Sequence, residues 1–176
     1  MRTPLLFVFV AQVVLGQTPA HPKVLSVCDI LADDPTKLNG SVIAVRGVLG
    51  GTDEGTWLTG ECKTHLVTKG LEWANALSVY IPMADENVAR SSERMRRKLK
   101  RMHADPSEDN VWVTIIGRLE TRQSMDDEVV QMPYGLARAG FGHLSGAAAE
   151  INVLSFEDVA VEKAQSRIRG TKEPKN

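Results

Sequence analysis

Along this chain, apolar residues recur every second position in five short runs and at helical spacing in two others. In SVIAVRGVLGG, residues 41–51, the β-branched residues together with Ile43, Val45 and Leu49 on one side predict a strand. Gly47 interrupts it, and a glycine inside a strand marks a bulge or sharp bend. TDEG makes a turn into a second strand, TWLTGEC, which ends at Cys62. In NALSVYIP, Leu77, Val79 and Ile81 alternate inward and Pro82 closes the strand. NVWVTIIGRLETRQ places Val113, Ile115 and Leu119 in register, and INVLSFEDVAVE is the last strand. The runs VIAVRGVL and WVTIIGRL each hold a glycine two residues before a leucine, at Gly47 and Gly117. Two long strands that bend at mid-length are what a small, strongly coiled barrel requires.

The helical stretches have different characters. SVCDILADDPTKLNG opens with Ser26 and Asp29 at capping-box spacing, and Val27, Ile30 and Leu31 then share one face. Asp34-Pro35 is expected to end that helix, because a residue before proline avoids helical geometry, and Asn39-Gly40 supplies a turn. Between the third and fourth strands, residues 85–105 carry Val88, Met95, Leu99 and Met102 as one stripe, with strongly basic residues elsewhere and Asp105-Pro106 as the stop. Residues 124–150 join the last two strands, a connection long enough to be functional or to hold order of its own.

The chain opens MRTPLLFVFVAQVVLGQTPAHPK, where Arg2 precedes an apolar run from Leu5 to Leu15 and then small residues, the pattern of a secretory signal peptide over residues 1–20. Cleavage after Gly16 or after Ala20 fits, and the run is shorter than the roughly 20 residues that span a bilayer. A secreted or periplasmic destination follows, with one domain over residues 21–163 and a polar, basic, disordered tail at 164–176. Removing Arg2 leaves 20 basic against 22 acidic residues, a balance that argues against a dedicated nucleic-acid binder. Cys28 and Cys62 are the only cysteines, and export makes a disulfide between them the expectation. A metal site from Cys28, Cys62, His65 and His143 is the competitor, weakened because structural zinc sites usually show two closely spaced ligand pairs.

The element order, helix and three strands, then helix and two strands, resembles the OB-fold over residues 26–163: mainly β with two helices, a small five-stranded barrel stoppered by the helix between strands three and four. The segments CDILADDPTKLNGSVIAVRG, GTWLTGEC and GFGHL also resemble a group of uncharacterised exported bacterial proteins with an OB-like body, a likeness that implies no activity. The OB-fold resemblance implies a docking surface on strands two and three, bordered by the loops at residues 50–55 and 124–150.

Trp57, Trp73, Tyr80, Tyr134 and Phe141 are the rings available for stacking there, although core packing is the simpler reading for Trp57 and Trp73. His143 could act as an acid, base or metal ligand, but no partner is signposted for it. More simply, Gly140, Gly142 and Gly146 let the loop fold tightly, with Phe141 and Leu144 anchoring it and His143 bonded to backbone. Arg94, Arg97 and Arg101 are candidate anion contacts within a helix whose charges also suit a solvated face. Asp126, Asp127 and Glu128 lack the alternating ligands of a calcium loop and read as a solvated turn.

These patterns lead to the expectation of an exported, non-enzymatic binding or interaction module for a small molecule, glycan or protein, without cofactor, metal or membrane span. The alternatives are polyanion or nucleic-acid binding through the basic helix and barrel face, and a small metal-dependent hydrolase centred on His143.

Overall fold

The computed structural model describes residues 22–163; the leader, its cleavage points and the basic tail lie outside them. The chain enters as β1 (Val24–Ser26) and passes directly into α1 (Val27–Leu31). The capping box forms as its sequence requires: the Asp29 amide donates to Ser26 Oγ at 3.0 Å, and the Ser26 amide donates to Asp29 Oδ2 at 2.8 Å. Val27, Ile30 and Leu31 are all buried. The helix stops at Leu31, before the expected Asp34-Pro35. Pro35 instead opens a 3-10 turn, Pro35–Leu38, because its fixed backbone angle suits a first helical position and Asp34 caps the Thr36 amide at 2.9 Å.

β2 (Val42–Thr52) and β3 (Gly55–Thr59) form a hairpin across Asp53-Glu54. A second, small hairpin not evident in the sequence pattern follows, β4 (Val67–Thr68) and β5 (Leu71–Glu72), turning through Lys69 and Gly70, both with positive φ. It delivers Trp73 into the core, 1% exposed, with its indole N–H donating to Thr68 Oγ1 at 3.1 Å. β6 (Ala76–Tyr80) leads into α2 (Glu86–Arg101), and β7 (Asn110–Glu120) follows. The connection at 124–150 is ordered: a 3-10 turn at Met125–Glu128, a hairpin of β8 (Val129–Met132) and β9 (Gly135–Arg138), and another 3-10 turn at His143–Ser145. β10 (Glu150–Glu162) ends the fold.

The fold is mainly β with two α-helices among the described residues. β2 pairs with β3, β3 with β6, β6 with β10, β10 with β7, and β7 returns to β2, so the pairings close on themselves. All are antiparallel except β6 with β10. Two glycines make this curvature sterically possible. At Gly47 a Cβ would lie 2.7 Å from Thr59 O, and at Gly117 it would lie 2.6 Å from both Asn152 O and Ile151 Cγ1. β10 bends by another device, with register breaks between Val153 and Ser155 and between Glu157 and Ala160. At the second break Asp158 takes φ 44°, and its carbonyl accepts from Arg46 Nη1 at 3.1 Å.

Inside lie Val45, Leu58, Leu77, Val113, Ile115, Leu119 and Ile151, all fully buried. α2 packs on β10, with Val88 fully buried and Met95, Leu99 and Met102 half-buried. Its inward face also holds Ser91 and Ser92, which the apolar stripe did not predict; their small side chains let the first half of the helix approach closely. Ser91 satisfies its hydroxyl by donating to Val88 O at 2.9 Å. Cys28 and Cys62 form a disulfide, Cα–Cα 5.2 Å, which ties α1 to the segment after β3. The thiol–metal alternative is thereby corrected, and His65 is exposed. Among the described residues, no helix is long and apolar enough to cross a membrane.

Candidate functional site

One wall of the site is the β2–β3 hairpin. Its turn projects Glu54, and β3 presents Trp57 and Thr59 on the side opposite buried Leu58. Trp57 is half-buried, and its indole nitrogen occupies the space that a side chain at residue 50 would need: a Cβ on Gly50 would lie 2.5 Å from Nε1. On the floor, β6 turns Leu77 and Val79 toward the core, so alternation sends Ser78 the other way.

The opposite wall is the loop 139–147. Phe141 and Ala147 exchange backbone hydrogen bonds at 2.8 and 3.2 Å and pinch the loop shut. The pinch needs Gly140, where a Cβ would collide with the Ala147 carbonyl and lie 2.7 Å from the Trp73 ring. Gly142 has φ 70°, and a Cβ there would lie 2.9 Å from Ser78 Oγ, so the loop backbone rests on β6. Phe141 and His143 therefore face Trp57 across a cleft of about 600 Å³.

Two polar pairs define its chemistry. His143 Nε2 lies 3.1 Å from Glu54 Oε2, joining the two walls. Ser78 Oγ donates to Glu150 Oε2 at 2.8 Å. A serine nucleophile needs its hydroxyl hydrogen-bonded to the base that will take its proton. Here the serine and the imidazole are each engaged with a different carboxylate. Among the described residues, no group of three or more His, Cys, Asp or Glu is placed to hold a metal ion. The arrangement is suited to holding a ligand between an aromatic wall and a polar floor.

Of the five residues expected to bind, Trp57, Phe141 and His143 meet at this cleft. Tyr80 lies outside its lining, 54% exposed in a neighbouring groove with Arg118 and Asn152, and Tyr134 is fully exposed at the tip of the β8–β9 turn. Phe141 is half-buried and carries the Arg122 guanidinium over its ring, 5.2 Å from the centroid. His143 lies against Glu54 rather than bonding to backbone, and Leu144 does not anchor the loop: it is 84% exposed, with φ 56°. Arg94, Arg97 and Arg101 are exposed on the outer side of α2, beside Lys98 and Lys100. Arg97 is paired there with Glu93 at 3.7 Å.

Glu54, Ser78 and Glu150 were not legible as site residues, although strand parity placed Ser78 opposite Leu77 and Val79. Glu128 is the larger surprise. Instead of sitting in a solvated turn it is fully enclosed, beside exposed Asp126 and Asp127. Its Oε1 accepts from the Arg122 amide at 3.3 Å, while Oε2 has no partner among the described residues. Burial pushes its carboxyl up to about 7, against the opposing pull of Arg122. Its own carbonyl accepts from the Ala139 amide at 2.7 Å, so one residue fastens both ends of the segment that carries β8 and β9.

Comparison of the chain with protein-family models, curated proteins and solved structures finds no match to any of them.

Proposed function

We propose that this protein is an exported, non-enzymatic binding module of OB-like fold whose ligand seats in the cleft between the β2–β3 turn and the loop 139–147. The order β2-β3-β6-β10-β7, with α2 between β6 and β7, supports the OB-like reading. The Cys28–Cys62 disulfide supports an oxidising destination, secreted or periplasmic. The observation that carries the binding reading is the convergence of Trp57, Phe141 and His143 on one cleft between those two connections. Pockets of a few hundred cubic ångströms with apolar walls and a few placed polar groups are where small ligands bind. A small molecule, a glycan or the side chains of a protein partner would be gripped by ring contacts and fixed by the polar floor.

The two alternatives have less support. The arginines of a polyanion site lie on α2, outside the cleft lining, and the hydrolase reading lacks a nucleophile bonded to His143. A screen of metabolites, glycans and peptides by thermal shift, followed by calorimetric titration, tests the proposal. The expected result is a ligand whose affinity falls at least tenfold in Trp57→Ala and at least threefold in Trp57→Phe. A ligand indifferent to both variants, or turnover abolished by His143→Ala, overturns it.

A further inference from the structure

The cleft's hydroxyl and carboxylate groups are weighted toward acceptors. Ser78 spends its only proton on Glu150, and Thr59 spends its own on Val48 O at 3.2 Å, so both hydroxyls can only accept from a ligand. Glu54 is a carboxylate, an acceptor, and the Nε2 of His143 is already committed to it. The Trp57 indole nitrogen is turned against Gly50, on the neighbouring strand. Thr56 alone of these side chains keeps a freely rotating hydroxyl.

Charge points the same way. Among the described residues no lysine or arginine lines the cleft, Arg122 lying over the Phe141 ring from outside the lining, whereas Glu54 stands at its rim and Glu150 sits behind Ser78. A ligand that brings only acceptors finds few donors among these side chains, and an anion would meet like charge at Glu54. A ligand that brings donors and positive charge finds acceptors, a carboxylate and the face of an aromatic wall.

Resting on the binding reading above, we infer that the cleft selects an organic cation: an ammonium, amidinium or guanidinium group carried on an apolar or aromatic body. The body lies against Trp57 and Phe141, and the cationic head reaches Glu54 with Ser78 and Thr59 as further acceptors.

Calorimetric titration of the full chain with benzamidine, benzoate and benzyl alcohol, three probes of one ring size and different head, tests this. The expected result is that benzamidine, cationic at neutral pH, binds at least tenfold more tightly than either of the others, and that Glu54→Gln weakens it about tenfold while leaving the melting temperature unchanged. The Glu54 carboxylate is 64% exposed, so this variant leaves the core intact. Benzoate or benzyl alcohol binding as well as benzamidine, with Trp57→Ala abolishing all three, overturns cation selectivity and leaves the cleft a binding site. Benzamidine binding that is unchanged by Glu54→Gln, or absent altogether, also overturns the inference. The wider screen with Trp57→Ala decides the binding reading separately.

Discussion

Replacing Glu128 by glutamine tests the physical account of the buried carboxyl. An acid whose folded value is raised contributes nothing below its unfolded value, because both states then hold the proton. Between 4.5 and about 7 the unfolded chain releases the proton and the folded chain keeps it. Stability then falls as pH rises, by about 1.4 kcal/mol per pH unit. Above about 7 the folded carboxyl ionises as well and the loss levels off; the separation of the two values sets it at about 3 kcal/mol. Asp34 adds to the upward pressure, and Arg122 opposes it through its charge and its amide hydrogen bond. Glutamine keeps an acceptor for the Arg122 amide and carries no charge at any pH. Urea unfolding of both proteins with the disulfide intact, at pH 5 and pH 8, isolates the effect, because every other titrating group cancels in the difference. Glu128→Gln should exceed the parent by less than about 1 kcal/mol at pH 5 and by about 3 kcal/mol at pH 8. Parallel profiles for the two proteins would refute the account.

Two further substitutions probe what closes the sheet. Gly117→Ala places a Cβ 2.6 Å from Asn152 O and Ile151 Cγ1 and should cost about 1–3 kcal/mol. Gly146→Ala, whose Cβ would have its nearest neighbour at 3.8 Å, should change stability by less than about 0.5 kcal/mol; equal effects in calorimetry would contradict the steric argument. The Cys28→Ala/Cys62→Ala double variant opens a loop whose ends are 34 residues apart and should lose about 3 kcal/mol, a melting drop on the order of 10 °C. A drop under about 2 °C would mean that α1 is held by the burial of Val27, Ile30 and Leu31 without the covalent tie.

Strand parity and helix periodicity read the frame of this protein well, because both depend on neighbours in sequence. Ile43 and Val45, Leu77 and Val79, and Val113 and Ile115 turn inward as their alternation demands. The bends at Gly47 and Gly117 were visible for the same reason, since a missing Cβ is a property of one residue. The bends in β10 were not, because Leu154 and Asp158 carry side chains and their bulges are set by pairing with β7. The β8–β9 hairpin escaped notice as well. Of its apolar residues only Val129 reaches the core, while Val130, Met132 and Leu136 remain exposed and mark no buried face.

The polar residues show where sequence reading ends. Glu128 stands between two exposed aspartates, and composition alone makes all three a solvated cluster. Its burial follows from two amides, Arg122 and Ala139, that a turn and a hairpin bring to it from either side. Glu54 looks like a turn residue until the loop 139–147 brings His143 across to it. That loop can come so close only because Gly140 and Gly142 lack side chains at the points where it meets Ala147 and Ser78. The cleft is thus a product of steric permission: glycines admit the backbone, and the backbone carries His143 to Glu54. Chemistry at this site is written in contacts between segments distant in sequence, so a residue's type became informative only once its partner was known.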